Sequence, residues 1–319
     1  MKKAMVIGCL GMDGSYMCDL LSGMGYLIIG IVHPDTQQKR ISEFYKTYKN
    51  RLILDIDVTN AVALSNAINR LCPDEIYNFA GVTNTFDPFS KAEEIWKMNA
   101  NLPVNILETI KFNKNIKFFN ASSCLTRINS GQTNINEKTP YAPLYPYGAS
   151  KAFAEMMIKV YREQYGIFAV SGIFFPHESE RRGADFFTKK IAGHVSSVAH
   201  CKKIRNAIMG GGWKKDIGSL NFSRDWGYAP EYMDAVYLMM NARFPKDYVI
   251  GTGIKTTGKQ FLEKCSEVVG FDVSEYFNEM SDGSGSYPEV VADASAIKQD
   301  LGWFPKVTID EIIIKMIGK

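Results

Sequence analysis

The sequence predicts an α/β protein built on a doubly wound parallel sheet, and a few observations carry that prediction. Short β-branched runs alternate with amphipathic segments through the first half of the chain. The first strand runs straight into a glycine-rich turn that opens a helix. The second strand is almost continuously apolar, as a strand covered on both faces must be. Strand, helix and strand repeated in this order, joined by right-handed crossovers, make a Rossmann-type sheet.

Residues 4–7 read as the first strand, and a helix follows the glycines to about position 24. Further strands are expected over 26–32, 51–56, 75–79, 116–120 and 168–174, with helices over 61–71, 92–112 and 147–165. After Phe175 the pattern changes. Residues 176–183 are polar and read as irregular, 186–199 as helix, and glycines 210–212 with Gly218 as loops. Helices over 230–242, 258–269, 294–301 and 309–317 follow, with a short strand near 248–250. These make a smaller mixed α/β lobe, expected to bind substrate over the sheet's carboxyl edge. The implied division is a dinucleotide-binding domain, 1–174 plus returning segments near 229–252, and a substrate lobe, 175–228 and 253–319.

Composition narrows the function classes. With 319 residues, 46% hydrophobic and 22% charged, the chain can build a full core, and no stretch is disordered by composition. A net charge of +3 gives no reason to expect nucleic acid. No apolar run approaches the roughly 18 residues of a membrane span. The N-terminal apolar run is broken by Gly8, Gly11 and Asp13, which argues against a signal peptide. Six scattered cysteines without a C-x-x-C pair read as reduced thiols, so the expected compartment is the cytoplasm. His177, His194 and His200 lack ligand spacing, and no metal is expected.

The turn Gly8-Cys-Leu-Gly11-Met12-Asp13-Gly14 has the spacing G-x-x-G-x-x-G between strand and helix. Glycines there let backbone N–H groups approach a pyrophosphate resting on the positive helix end. An acidic residue about 20 positions beyond the glycines usually binds the ribose hydroxyls, and Asp35 is the candidate. Lys39 and Arg40 could instead meet a 2′-phosphate, so NAD and NADP both stay open. Asp57 and Val58, after the third strand, are placed beside the adenine. Phe79, Ala80 and Gly81, after the fourth, are placed on the nicotinamide side.

Tyr147-Gly-Ala-Ser-Lys151 is a Y-x-x-x-K motif, and positions i and i+4 share a helix face. The lysine is expected to lower the tyrosine pKa toward neutrality and to hold the nicotinamide ribose. The fifth strand ends Ala121-Ser122-Ser123, where Ser123 would orient the substrate oxygen. Tyrosinate then removes the alcohol proton while the nicotinamide takes the hydride.

These residues resemble those of the extended short-chain dehydrogenases/reductases, most of all the GDP-mannose 4,6-dehydratases. The matching stretches are 8–15, 121–123, 141–155, Phe175-Pro-His-Glu-Ser-Glu-Arg-Arg-Gly183 and Gly218-Ser-Leu-Asn-Phe-Ser-Arg-Asp-Trp-Gly-Tyr228. The resemblance implies a GDP-linked sugar substrate and a homodimer or homotetramer. It assigns His177 to the cofactor, and Ser123, Cys124, Leu125, Glu178, Lys189 and Arg224 to the substrate. Arg181 and Arg182 join Lys189 and Arg224 as candidates to contact phosphates, of the sugar nucleotide or of a neighbouring subunit's cofactor.

The chain departs from that family where elimination is done. The dehydratases carry Ser/Thr-x-Glu after the fifth strand, and the glutamate's position falls on Leu125. Leucine cannot transfer a proton, and Glu137 in the following loop is the residue that could substitute. Cys124 lies one residue from the register at which GDP-mannose 3,5-epimerase carries a proton-moving cysteine; otherwise it is a small buried residue. His33-Pro34 stands where the family has an arginine pair, which favours NAD. Ser286-Tyr287-Pro288-Glu289 replaces the arginine–proline element that faces the diphosphate. The leading expectation is therefore a C4 oxidation of a GDP-mannose or GDP-heptose type sugar, by a dehydrogenase or a 4-epimerase. A dehydratase with a replacement acid and a non-catalytic dinucleotide sensor are the alternatives.

Overall fold

A computed structural model describes residues 1–83, 89–205, 214–280 and 288–319. β1 (Lys3–Ile7) leads into α1 (Met12–Gly23), β2 (Leu27–Val32), α2 (Gln38–Thr47), β3 (Arg51–Asp55), α3 (Ala61–Leu71) and β4 (Glu75–Asn78). α4 (Ala92–Trp96), a π-helical turn over Lys97–Asn101 and α5 (Leu102–Ile110) precede β5 (Lys117–Ser123). β6 (Asn134–Ile135), α6 (Pro146–Tyr165) and β7 (Ala169–Phe174) end this half. Then come β8 (His177–Glu178), α7 (Phe187–Arg205), β9 (Lys215–Ile217), β10 (Ser223–Arg224), β11 (Gly227–Tyr228) and α8 (Ala229–Asn241). β12 (Tyr248–Ile250), β13 (Thr256–Thr257), α9 (Gly258–Val269), β14 (Phe277–Glu279), β15 (Val291–Ala292), α10 (Ser295–Leu301) and α11 (Ile309–Ile317) complete the chain.

The central sheet has the order β12-β7-β5-β4-β1-β2-β3, and every neighbouring pair is parallel. This is the predicted doubly wound α/β sheet. The chain order reverses between β1 and β4, whose last residues Ile7 and Asn78 are paired. A crevice therefore opens beyond their carboxyl ends.

Both faces of the sheet are covered, which is why its strands are so apolar. On one face Met5, Ile29, Ile76 and Phe118 meet Leu64, Ile68, Ile106 and Ile158 of α3, α5 and α6. On the other, Val6, Ile28, Tyr77 and Phe119 meet Met17 and Leu21 of α1 and Met233 and Val236 of α8. Each fully buried aliphatic side chain contributes about 1.5–3 kcal/mol. A further core joins Ile191, Val195, Phe261, Ile312 and Met316 of α7, α9 and α11 around Trp226.

Local patterning missed some elements. α2 is a short, strongly polar stretch that buries Phe44 alone, and the sequence reading did not include it as a helix. The expected helix over 92–112 widens into the π-turn, which buries Asn99. Residues 176–183 are polar but not all surface loop: His177, Glu178 and Ser179 are buried, and β8 pairs with β11. Glycines 210–212 lie outside the described residues. Among the described residues no helix is long and apolar enough to cross a membrane.

Candidate functional site

The glycine turn is built for close backbone approach. Gly8 sits at φ +83°, and a Cβ there would lie 2.9 Å from the Ala80 nitrogen. A Cβ on Gly14 would lie 2.2 Å from the Gly8 carbonyl oxygen. Gly11 is the N-cap of α1 and has no side chain to cap it, so the first-turn N–H groups of Met12, Asp13 and Gly14 are available to an anion. These contacts fit a dinucleotide pyrophosphate, and when bound its nicotinamide supplies the hydride acceptor.

The acidic and basic candidates for the adenosine ribose separate. Asp35 is exposed, its carboxylate 3.4 Å from His33 Nδ1. Arg40 reaches from α2 to the glycine turn and donates from Nη2 to the Leu10 carbonyl at 2.5 Å. Asp57 accepts from Thr59 N and Oγ1 at 2.9 and 2.7 Å, shaping the turn after β3, and Val58 is buried beside it.

Phe79, Ala80 and Gly81, expected on the nicotinamide side, follow β4. The π-turn swings Asn99 into this loop, where its side chain binds both the N–H and the carbonyl of Val82 at 3.0 Å. A Cβ on Gly81 would be 2.7 Å from Asn99 Oδ1 and 3.5 Å from Lys151 Nζ. Asn99 thus shares the site, which sequence reasoning missed. A π-turn inside a helix is often functional, but the periodicity of 92–112 does not reveal it.

α6 starts at Pro146, a residue pre-set for a first helical position, and presents Tyr147 and Lys151 to the end of β5. Lys151 Nζ donates to the Ala121 carbonyl at 2.7 Å and lies 6.0 Å from the Tyr147 ring centroid. Burial drives the Lys151 pKa down to about 8, against the pull of Glu155 and Asp13. Tyr147 moves opposite to expectation. Burial pushes it up to about 12, and the facing Ser123 hydroxyl only partly offsets this. Lys151 gives one of its three donors to the Ala121 carbonyl and lies 6.0 Å from the Tyr147 ring centroid, and desolvation of the phenol prevails.

Leu125 lies in the 3₁₀ turn after β5, where its N–H donates to Ser123 Oγ at 3.2 Å. Its carbonyl packs where a Cβ on Gly148 would stand, 2.5 Å away. Glu137 accepts from the Val249 N–H at 2.8 Å, so its carboxylate is committed to the edge strand. Cys124 packs among Ile128, Ile135, Ile173, Phe175 and Val249, and burial lifts its thiol to about 12. That is a core side chain and a poor base.

His177 meets Asp13, Nε2 to Oδ1 2.9 Å. Glu178 is buried and 3.2 Å from Arg182 Nε; burial raises its pKa while Arg182 opposes the rise. The Arg182 charge also acts on Asp13 and Tyr147. Arg181 instead docks on α1, 2.7 Å from Asp19 and 4.0 Å from the Tyr16 ring. Lys189 donates to the Glu180 carbonyl at 2.9 Å, and Arg224 to that of Ser223 at 2.7 Å. Ser286 and Tyr287 lie outside the described residues, and Glu289 pairs with Lys255 at 2.5 Å.

A family model for GDP-mannose 4,6 dehydratase matches residues 5–316. GDP-mannose 4,6 dehydratase 2 of Arabidopsis thaliana is 31% identical, with 100% of this chain and 86% of that protein covered. GDP-mannose 4,6 dehydratase of Drosophila melanogaster is 32% identical, over 99% of this chain and 85% of that one. Among solved structures, dTDP-glucose 4,6-dehydratase of Bacillus anthracis, in complex with NAD, superposes with TM-score 0.83 at 19% identity, covering 100% and 96% of the two chains. UDP-glucose 4-epimerase of Thermotoga maritima, with UDP-glucose, gives TM-score 0.83 at 19% identity, covering 99% and 97%. At that identity the two structures speak for the fold alone. The family match, spanning nearly the whole sequence, makes this chain a member of the GDP-mannose 4,6-dehydratase family, NAD(P)-dependent enzymes of the extended short-chain dehydrogenase/reductase class.

Proposed function

We propose that this enzyme oxidises C4 of a GDP-linked sugar of the mannose or heptose type and performs no elimination. Leu125 carries the reading. It occupies the turn beside Ser123 and Tyr147, and it has no proton to give or take. Ser123 orients the sugar hydroxyl, Lys151 holds the ribose, and Tyr147 takes the hydroxyl proton once positive charge gathered beside it, from Lys151 and a bound oxidised nicotinamide, offsets the burial that keeps the phenol neutral. Gly8, Gly11, Met12 and Gly14 take the pyrophosphate, with Asp13 and His177 closing over it. Arg40 or Asp35 meets the adenosine ribose, Asp57 and Val58 the adenine, and Phe79 to Gly81 the nicotinamide. Glu178, Lys189 and Arg224 face the sugar nucleotide from the lobe 175–228 and 253–319. The product is a 4-keto sugar, or the substrate's 4-epimer if the hydride returns to the other face of that ketone.

The test is the mass of the product formed from GDP-mannose and GDP-heptose with NAD or NADP. Loss of two hydrogens, or a new product of unchanged mass resolved from the substrate by chromatography, supports the reading. Loss of one water overturns it in favour of the second reading, a dehydratase, which the family match itself favours.

Assembly and compartment complete the proposal. Trp96, Met156 and Val160 of α4 and α6 are 44%, 44% and 47% exposed, and Trp96 packs on Phe153 with ring centroids 5.1 Å apart. Such an apolar strip supports pairing with a second copy in a homodimer or homotetramer. All six cysteines are free, which suits a reducing cytoplasm.

A further inference from the structure

The face of α6 that carries Tyr147 and Lys151 continues one turn further. Glu155 stands at i+4 from Lys151 and is buried. The last three residues of β5 each meet one of these three side chains. The Ser123 hydroxyl faces Tyr147, the Ala121 carbonyl accepts from Lys151 at 2.7 Å, and the Ser122 hydroxyl donates to Glu155 Oε1.

Glu155 Oε2 is held by Arg127 Nη2 at 2.8 Å, with side-chain exposures of only 3% and 4%. Arg127 in turn donates from Nε to the Thr139 carbonyl at 3.1 Å and from Nη1 to Thr126 Oγ1 at 2.5 Å. Its guanidinium lies 4.4 Å from the Tyr141 ring centroid. Thr126 Oγ1 donates to the Ser123 carbonyl at 2.8 Å. The turn that carries Leu125 is thus bolted to α6 through one buried ion pair.

An ion pair is an expensive way to join two elements, because apolar residues of similar volume do this as well or better. Its position one turn behind a buried lysine supplies a reason for it. We propose that Glu155, aimed by Arg127, is a positioning residue for the hydride-transfer site, fixing the Lys151 ammonium and the Ser122–Ser123 strand end against Tyr147. This rests on the roles given to Tyr147 and Lys151 above.

The electrostatics agree. Burial disfavours the Lys151 charge, and the anions opposing that effect are Glu155 on its own helix and Asp13 from α1. Glu155 is faced by Arg127 from the turn, Ser122 from β5 and Asp247 from just before β12. Without Glu155 the ammonium keeps Asp13 alone among these anions and loses its proton at lower pH.

Glu155→Gln tests this, since it keeps an acceptor for Ser122 and removes the charge. The double variant Arg127→Met/Glu155→Met removes both charges without leaving one unpaired, and it decides the matter if the single variant does not fold. The first readout is the pH titration of the Lys151 side chain by lysine NMR, assigned with Lys151→Arg, which needs neither substrate nor turnover. Its midpoint should fall by about one pH unit or more, and Glu155→Asp should restore most of it. An unchanged midpoint in a folded variant overturns the proposal and leaves the pair merely structural. The second readout is NADH formation from NAD with GDP-mannose as probe, in which kcat should fall about tenfold or more with KM little changed. A shifted midpoint in the variants, with no NADH formed by the wild type, upholds the role of Glu155 and counts against the substrate instead.

Discussion

His177 presents both ring nitrogens to acceptors: Nε2 lies 2.9 Å from Asp13 Oδ1 and Nδ1 2.8 Å from the Phe175 carbonyl oxygen. Neither a carbonyl nor a carboxylate donates, so this geometry suits the imidazolium, the form in which both ring nitrogens donate. It joins the first turn of α1 to the segment after β7, with Tyr232 packed on it at 4.6 Å between ring centroids. Burial opposes the His177 charge, but Asp13 outweighs it and raises the pKa. Burial likewise opposes ionisation of Asp13, and His177 with Arg182 outweighs that and holds its carboxyl below the usual range.

The pH dependence follows from those two directions. The His177 contribution is full below its unfolded pKa of about 6.5 and is lost as pH rises through the raised folded value. The Asp13 contribution is full above about 3.8 and is lost as pH falls through the depressed one. The pair is therefore worth most between about pH 4 and 6.5. His177→Asn should cost about 1.5–3 kcal/mol at about pH 5.5 and less at about pH 9. Urea denaturation at both pH values checks this, and equal costs would count against the imidazolium.

Leu125→Glu returns a carboxylate to the turn beside Ser123. If the missing acid is what stops elimination, the variant should release product lighter by one water from GDP-mannose. The gain over wild type should reach about 100-fold, the lower range for a positioned general acid or base. Mass spectrometry of the product mixture reads it directly; a variant that folds and still makes no dehydrated sugar shows that more than Leu125 has changed.

Tyr147→Phe separates enzyme from sensor. The phenol packs in a site where burial already holds it neutral, so losing the hydroxyl should leave dinucleotide affinity within about threefold. Turnover should drop about 100- to 10,000-fold. Fluorescence titration with NAD and a turnover assay on the same sample give both numbers, and an indifferent turnover would sink the catalytic reading.

Val160→Asp places a charge in the apolar strip shared with Trp96 and Met156. The residue is 47% exposed, so the substitution should change the monomer's stability by no more than about 0.5 kcal/mol. Light scattering should show the assembly falling to monomer. Unchanged mass would move the interface elsewhere on the surface.

The sequence by itself determined what depends on short-range patterning. Alternating apolar strands and amphipathic helices specify the parallel sheet, because both faces of each strand must be covered. The glycine spacing specifies the turn at Gly8, and the i, i+4 rule puts Tyr147 and Lys151 on one face. Anchoring on Ala121-Ser122-Ser123 was enough to place Leu125 just after the fifth strand.

The tertiary structure decided what depends on residues meeting across the fold. The π-turn aims Asn99 at the loop after β4, and Arg181 pairs with Asp19 of α1. Glu137 accepts from the backbone of the edge strand β12, a contact that its place in the sequence does not show. The pKa of Tyr147 rose where the motif alone argued for a fall, since a pKa is a balance between nearby charge and desolvation. Helical periodicity reports the first of these; only the packed fold sets the second.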